Sequence, residues 1–318
     1  MNAILWRGLK RWRVWHRIAF ERLSEPVHLN VAAAWAAIFG SFRTKVSYDL
    51  VIRQHHAFAL LKAADWAQKL GLKTITAIEF GVANGAGLLN ICEIAQRVTR
   101  ETNVEFEIYG FDSGCGLPVP RDYRDHAEHY RPGDYPMQEP EALRKLLPDN
   151  AKLILGEIGD NIPGFLTTCA PIAFVSIDVD YYWSTVDAFT VFDGPASKYL
   201  PWIAVYVDDL EFDEHNQFCG EWGAAENFNQ NHSDRKIVRW NMLRQKRVFQ
   251  RALWIDHMFT AHIFDHPYRS DALTAQGGSA VLENAYLGKS RATKDNIWAN
   301  PELPFRPGQK DTKSGLVR

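Results

Sequence analysis

Acidic residues end five successive apolar stretches of this sequence, and they are the side chains best suited to chemistry. They are Glu79, Asp112, Glu157, the pair Asp178 and Asp180, and the pair Asp208 and Asp209. Carboxylates gathered in one place can accept a proton from a hydroxyl group, bind sugar hydroxyls or hold a hard cation such as Mg²⁺. The opposite ends of these stretches carry no such series of acids. We therefore predict one shared site.

Glycines follow Glu79 at a spacing typical of a tight turn between a strand and a helix. Residues 77–87 contain Gly81, Gly85 and Gly87 in the pattern G-x-x-x-G-x-G, and a helical pattern begins directly afterwards. Glycine allows the backbone to approach a ligand closely, and the first N–H groups of a new helix are unpaired there. Strand, glycine turn and helix together predict the opening of a nucleotide-binding α/β unit.

Apolar runs and helical periodicity alternate along the chain. Strands are predicted over residues 74–80, 105–112, 151–155, 172–178, 202–207, 236–240 and 258–265. Helices are predicted over two segments of 29–70, the second spanning 47–70, then up to residue 100, and over 141–147, 184–192 and 223–231. This alternation predicts an α/β fold: a Rossmann-like, doubly wound, mostly parallel seven-stranded sheet with an N-terminal helical extension. The acids then lie at the carboxyl ends of the strands, where ligands bind.

The sequence divides into three parts by its patterning. Residues 1–70 are predicted to form the helical extension, residues 71–287 the α/β domain, and residues 288–318 a polar, loosely ordered tail. Residues 117–140 form a proline- and tyrosine-rich insertion after the second strand. Insertions of this length often act as lids, and we predict that role here.

The overall composition excludes several classes of protein. Hydrophobic residues make up 46% of the chain, enough for a sizeable core, and the net charge of −2 gives no sign of nucleic-acid binding. The cysteines lie far apart, which argues against a zinc site or a disulfide framework and favours a cytoplasmic protein. No signal peptide is expected, and the apolar run 31–39 is too short to span a bilayer.

Residues 1–23 are basic and rich in tryptophan. On a helix, most of the cations fall on one side and the apolar side chains on the other. One interpretation is an interfacial helix on an anionic membrane, which would place the protein at the inner face of that membrane. The other is a helix packed on its own domain, or on a second subunit of a homo-oligomer, with a solvated basic face.

The motif of Glu79, Gly81, Gly85 and Gly87, with Asp112 ending the next strand, resembles the class I S-adenosylmethionine-dependent methyltransferases. The resemblance covers roughly residues 70–265. It implies that the glycine turn wraps the methionine end of the cofactor and that Asp112 accepts hydrogen bonds from the ribose hydroxyls. It also implies that the region after the third strand lies near the adenine. Gly156 and Glu157 occupy that region.

The downstream acids resemble a narrower group. Asp178-Val-Asp180-Tyr-Tyr-x-Ser-Thr and the later Asp208-Asp209 are similar to the metal-assisted O-methyltransferases of the macrocin type, and also to the catechol type. This implies Mg²⁺ held by Asp178, Asp208 and Asp209, catalytic roles for Asp178 and Asp180, and a small-molecule or glycan hydroxyl as acceptor. Two departures are the insertion 117–140 and a slightly long stretch between Asp180 and Asp208.

A metal site formed by these acids requires the fourth and fifth strands to end at particular residues. Asp178 and Asp180 share a face only if the fourth strand continues through both, because side chains alternate along a strand. For the same reason, Asp208 and Asp209 can both face a metal only if the fifth strand ends at Asp208.

Three other functions fit part of the pattern. A short-chain dehydrogenase also has such glycines, but no Tyr-x-x-x-Lys pair occurs here. Asp178-Val-Asp180 could be the D-x-D metal clamp of a nucleotide-sugar glycosyltransferase, although the glycine turn argues against it. A non-catalytic scaffold or cofactor sensor would retain the whole pattern.

Two groups of histidines could also suggest a site. His55 and His56 are neighbours on a predicted helix and point in different directions, so one of them could reach the pocket but both could not easily hold one metal. His257, His262 and His266 near the last strand are interpreted as core or solvated residues, and we assign them no role.

Overall fold

Seven strands form one sheet in this computed structural model, which describes residues 20–210 and 216–274. The strands are β1 Thr74–Phe80, β2 Glu105–Asp112, β3 Ala151–Leu155, β4 Ile172–Ile177, β5 Tyr199–Val207, β6 Arg235–Arg239 and β7 Met258–Ile263. Their order is β3-β2-β1-β4-β5-β7-β6, with β1 to β5 parallel and β7 antiparallel to both of its neighbours. The predicted Rossmann-like, mostly parallel seven-stranded sheet is confirmed.

Helices flank this sheet. They are α1 Val27–Phe39, α2 Phe42–Ser47, α3 Gln54–Lys69, α4 Ala86–Thr102, α5 Pro140–Leu146, α6 Ile158–Thr168, α7 Tyr182–Phe189, α8 Gly220–Asn231 and α9 Pro267–Thr274. Of the described residues, those up to Arg269 belong to one compact unit. The predicted tail 288–318 lies outside the described residues. No helix of the described part is long and apolar enough to cross a membrane.

The central strands are buried on both faces, which explains their continuous apolar runs. Every residue of β4 is buried, and six of the seven residues of β1 are buried. Parallel strands covered by helices on both sides read as unbroken hydrophobic segments, because neither face meets water. The carboxylates that follow these strands therefore lie where the buried segments end.

The helical extension differs from its prediction. A single helix over 47–70 was expected, but α2 ends at Ser47 and α3 begins only at Gln54. Asp49 and Arg53 adopt left-handed backbone conformations with φ of 52° and 54°, which a continuing helix does not allow. The buried Arg247 guanidinium donates to Asp49 Oδ1 at 2.6 Å, so a contact distant in sequence stabilises the break.

Helix α6 is absent from the predicted pattern. Its sequence contains Gly159, Pro163 and Gly164, which are poor helix formers. Packing compensates, since the ring of Phe165 contacts those of Tyr109 and Phe111 at centroid distances of 4.8 and 5.3 Å. Tertiary contacts therefore overrode local propensity here.

Candidate active site

The carboxyl ends of β1 to β5 line one cavity of about 640 Å³. Its walls include ten of the predicted site residues: Glu79, Gly81, Gly87, Asp112, Gly156, Glu157, Asp178, Asp180, Asp208 and Asp209. Gly85 is the exception. It caps the start of α4 with φ of 86°, and a Cβ there would lie 2.4 Å from a side-chain carbon of Leu143, so its role is to admit close packing against α5.

Two glycines of the turn admit contacts within the protein. Gly81 has φ of 82°, and an added Cβ would lie 1.7 Å from the carbonyl oxygen of Asp178. At Gly87 an added Cβ would lie 1.8 Å from Glu79 Oε1. Both glycines therefore bring carboxylate-bearing segments together: Gly81 holds the β1 turn against the end of β4, and Gly87 leaves room for the Glu79 side chain.

Replacing Gly81 with alanine is expected to destabilise the fold by about 3 kcal/mol, because the new Cβ meets backbone and the left-handed conformation is strained as well. Urea denaturation measures the change. Gly159→Ala is the matched control, since a Cβ at Gly159 has nothing within 4 Å and α6 should tolerate or gain from alanine there. Equal stability of the two variants would contradict the close approach at Gly81.

Asp112 clamps the turns after β1 and β2 together. Its Oδ2 accepts hydrogen bonds from the backbone N–H groups of Val82 and Ala83, both at 2.8 Å, and its Oδ1 accepts one from Gly114 at 2.6 Å. A carboxylate offers about four lone-pair sites, so acceptor capacity remains toward the cavity. Asp112 thus shapes the site in addition to facing it.

Glu79 is a buried carboxyl with spare hydrogen-bonding capacity. It is 2% exposed, and its Oε2 has no hydrogen-bond partner within the described part of the chain. Burial, followed by the charge of Asp178, raises the pKa of Glu79 well above its usual value. An arriving cationic or hydrogen-bonding group would therefore be favoured at this position.

Arg53 is a cavity residue that the sequence interpretation missed. It lies in the left-handed turn just before α3, is half-buried, and lines the same cavity as Glu79 and Asp178. Its positive charge acts to lower the pKa of both carboxyls, against the larger effect of burial. No sequence signal indicated this role, because Arg53 falls inside the helix predicted over 47–70 and outside the segment that resembles methyltransferases.

The acids after β4 and β5 reach the cavity by leaving the strand geometry. β4 ends at Ile177, so Asp178 and Asp180 do not share a strand face as the hypothesis required, and Asp180 has φ of 61°. β5 ends at Val207, one residue before Asp208, so strict alternation no longer separates Asp208 from Asp209. All four carboxyls line the cavity.

Glu221 ties these two strand ends together. Its Oε1 accepts a hydrogen bond from Val179 N at 3.0 Å, and its Oε2 accepts one from Asp209 N at 3.2 Å. The residue is fully buried, and burial, followed by the Asp209 charge, raises its pKa well above the usual value. The predicted helix began at residue 223, which left Glu221 outside it, whereas α8 begins at Gly220.

Burial and mutual repulsion dominate the electrostatics of this acidic cluster. Burial, followed by the charge of Asp209, raises the pKa of Asp180 to about 9, and burial with the charge of Asp208 raises that of Asp209 to about 6. The pKa of Asp178 is raised well above its usual value by burial and by Asp208. A hydrogen bond between Asp180 and Asp209 favours a proton on Asp180.

The predicted metal ligands are all carboxyl groups, and two of them already have hydrogen-bond partners. Asp208 Oδ1 accepts a 2.6 Å hydrogen bond from the Tyr206 hydroxyl, and the carboxyl group of Asp209 shares a hydrogen bond with that of Asp180. Within residues 20–210 and 216–274, no group of three or more His, Cys, Asp or Glu side chains is gathered as a metal site. The donor chemistry nevertheless suits Mg²⁺, because the donors are all carboxyl groups. A cation would also offset the repulsion that adds to burial in raising the pKa values of Asp178 and Asp209.

The insertion 117–140 forms part of the cavity wall, and its role as a lid stays a prediction. Its base is closed by hydrogen bonds from Leu117 N to Asp134 O and from Gly133 N to Leu117 O, at 2.9 and 2.8 Å. Trp183 of α7 anchors it, donating from its backbone N to Asp125 at 3.0 Å and from Nε1 to Asp122 at 2.9 Å. Three insertion side chains after this anchor line the cavity: Tyr130, Asp134 and Tyr135.

The histidines serve the core. His55 stacks on Tyr206 with ring centroids 3.9 Å apart, His56 pairs with Asn90 at 3.1 Å, and neither lines the cavity. His257 Nδ1 contacts Val207 O at 2.9 Å, behind the cavity residues. A histidine reaching the pocket from α3 is therefore not observed.

Comparison with known protein families and with curated proteins finds no match. Three solved structures similar to this chain are methyltransferases. The O-methyltransferase NovP is 16% identical with a TM-score of 0.45, over 66% of this chain and 79% of its own. The calicheamicin methyltransferase CalS11 is 17% identical with a TM-score of 0.38, over 64% and 81%. The plantazolicin methyltransferase BpumL, in complex with SAH, is 10% identical with a TM-score of 0.30, over 81% and 98%.

These structures are too distant in sequence to assign roles to individual residues, so the chemistry of the cavity follows from the residues that line it in this chain. Those residues are a glycine turn preceded by a buried carboxyl, an acid clamping the next turn, one cation from the helical extension and a group of buried acids after β4 and β5.

Proposed function

We propose that this chain is an S-adenosylmethionine-dependent methyltransferase that methylates a hydroxyl group of a small molecule or sugar. One observation carries the proposal. The glycine turn with Glu79, the Asp112 clamp and the acidic cluster after β4 and β5 share a single cavity. A nucleoside-binding end and a proton-accepting end therefore lie within reach of one bound molecule.

The cofactor would be held along the first three strand ends. The methionine ammonium group suits the buried Glu79 carboxyl, and the methionine carboxylate suits Arg53. The ribose hydroxyls suit the remaining lone pairs of Asp112. The adenine would lie near Gly156 and Glu157, at the start of α6.

Methyl transfer is an in-line displacement. S-adenosylmethionine, when bound, would supply the methyl group: the acceptor oxygen would bond to the methyl carbon while the carbon–sulfur bond breaks, and the bonding pair would stay on sulfur as a thioether. The acceptor proton passes to a carboxylate, for which we propose Asp178 or Asp180. Asp178 and Asp180 would have lower pKa values beside the cationic sulfonium of a bound cofactor, which would favour their ionised, proton-accepting form. Positioning accounts for much of the acceleration.

Mg²⁺, held by Asp178, Asp208 and Asp209, would acidify an acceptor hydroxyl and orient it. We expect Mg²⁺ to bind with release of protons, because the cluster holds protons in its absence. Isothermal titration in two buffers of different ionisation enthalpy measures both effects. Asp209→Asn should weaken binding about tenfold or more.

Glu157→Gln is the control for the metal titration, since Glu157 lines the cavity away from the cluster and should leave Mg²⁺ binding unchanged. Absence of binding heat, together with full methyl transfer in the presence of EDTA, would remove the metal from the proposal.

Titration with S-adenosylhomocysteine tests the proposed function. Ligand at about a hundred times its Kd should stabilise the protein by roughly 2.7 kcal/mol, read as a rise in Tm. Radiolabelled S-adenosylmethionine with a panel of hydroxylated acceptors then measures transfer. Stabilisation by NADH or by a UDP-sugar instead would favour a dehydrogenase or a glycosyltransferase. Cofactor binding without turnover on any acceptor would favour the sensor.

A further inference from the structure

An apolar stripe is exposed along the helical extension. Residues 20–23 are helical and precede α1. The stripe consists of Phe20, Leu23, Val27, Val31, Trp35, Ile38 and Phe39, whose exposed fractions run from 62% at Trp35 to 82% at Leu23. Within α1, Val27, Val31, Trp35 and Phe39 follow one another at four-residue spacing and Ile38 is three residues after Trp35, so they lie on one side of the helix. Ala33 and Ala36 are the buried residues of α1.

The stripe differs from an ordinary surface helix. The sequence of α1 is VHLNVAAAWAAIF, which contains no Asp, Glu, Lys or Arg. A helix with one face in water normally presents charged or polar residues there, and a continuous exposed apolar surface marks an interaction site. The side chains of this stripe are large enough to gain substantially from leaving water.

The basic residues that precede the stripe indicate that its partner is an anionic surface. The residues before the stripe contain Arg7, Lys10, Arg11, Arg13 and Arg17, with no acidic residue before Glu21. Each cation near an anionic lipid surface contributes about 1 kcal/mol of attraction. A second copy of the chain would bring the same cations and be repelled. Trp35, together with Trp12 and Trp15, adds the indole side chains that favour the membrane interface.

The stripe is held firmly to the α/β domain. The Arg22 guanidinium donates to the carbonyl oxygens of Tyr48 and Asp49 at 3.1 and 2.8 Å, and lies 3.9 Å from the centre of the Phe249 ring. Arg251 N donates to Glu25 Oε1 at 2.6 Å. Arg22 and Glu25 thus hold the start of this segment against the domain, and the apolar side chains of the stripe remain exposed.

We propose that the stripe lies in the surface of a bilayer rich in anionic lipids, parallel to the membrane plane. At 13 residues, α1 spans about 20 Å and cannot cross a bilayer, but it can bury one face at the headgroup boundary. The proposal is independent of the methyl-transfer function. It concerns where the full chain resides, whatever the cavity binds.

Vesicle co-sedimentation of the full chain tests it. Binding is expected with phosphatidylcholine vesicles that contain phosphatidylglycerol, should be much weaker with phosphatidylcholine alone, and should decrease with added salt. Val31→Asp with Trp35→Asp should reduce binding roughly tenfold or more, because apolar burial is lost. Leu146→Asp is the matched control, since Leu146 on α5 is exposed to 67% and lies outside the stripe.

A second variant separates charge from burial. Arg11→Glu with Arg13→Glu should weaken binding to the anionic vesicles while leaving any residual binding to neutral vesicles unchanged. Circular dichroism confirms that each variant is folded. The proposal is overturned if the wild type does not sediment with anionic vesicles, or if Val31→Asp with Trp35→Asp sediments equally well. A lipid-free dimer that the same aspartates dissociate would also overturn it, in favour of a second copy.

Discussion

Asp112→Ala should weaken S-adenosylhomocysteine binding roughly a hundredfold, about 2.8 kcal/mol. Two losses combine. The ribose hydroxyls would lose a charged acceptor, and three backbone N–H groups, those of Val82, Ala83 and Gly114, would lose the carboxylate that now fixes both turns. Calorimetric titration measures the affinity, and the rise in Tm caused by the ligand should almost disappear.

Two further substitutions show whether that loss is specific. Asp112→Asn retains one acceptor oxygen, so its affinity should fall between those of the wild type and the alanine variant. Asp149→Ala removes an exposed aspartate before β3 and should bind like the wild type. Wild-type affinity in Asp112→Ala would remove the ribose role from this residue and with it the main support for the cofactor.

The unfolding free energy of the ligand-free protein should fall as the pH rises from about 5 to about 9. Asp180, with a pKa raised from 3.8 to about 9, keeps in the folded state a proton that the unfolded chain has lost, and Asp209 does so up to about pH 6. The folded state then binds more protons, so stability decreases with pH, by about 1.4 kcal/mol per pH unit for each extra proton.

Asp180→Asn isolates this effect. The variant should lose about 1.4 kcal/mol per pH unit of the slope between about pH 6 and about pH 8, because asparagine cannot titrate. Urea denaturation across that range provides the measurement, with Asp149→Asn as the exposed control. An unchanged slope in Asp180→Asn would show that the proton is held elsewhere. Saturating Mg²⁺ or cofactor should flatten the wild-type slope, since a cation lowers these pKa values.

Local patterns predicted most of the sheet. The bounds of β1, β2 and β3 agree with the predicted strands residue for residue, because each is rich in apolar residues and is closed by a glycine or an acid. The predictions were less accurate where distant contacts act. Helix α6 forms despite Pro163 because Phe165 packs on β2, and α3 begins late because Arg247 holds Asp49 in the preceding turn.

In the candidate site too, local patterns predicted some residues, whereas others depend on distant contacts. Acids at successive strand ends could be predicted to meet, because parallel strands bring their carboxyl ends to one edge. The roles of Arg53 and Glu221 could not be predicted, since neither belongs to a motif. Arg53 lines the cavity and Glu221 holds the ends of β4 and β5 behind it, each from a helix start whose position depends on tertiary packing. Whether Asp178 and Asp180 share a strand face also required the structure, because the answer depends on the exact residue at which β4 ends.

By itself, the sequence determined the α/β class, the glycine turn and the acids that follow the strands, because apolar periodicity and glycine spacing are properties of neighbouring residues. Only the tertiary structure decided that Gly85 packs away from the cavity, that Glu79 is buried with a spare acceptor, and that Asp180 and Asp209 share a hydrogen bond. Burial and the approach of residues far apart in the chain set those features, and both exist only after folding.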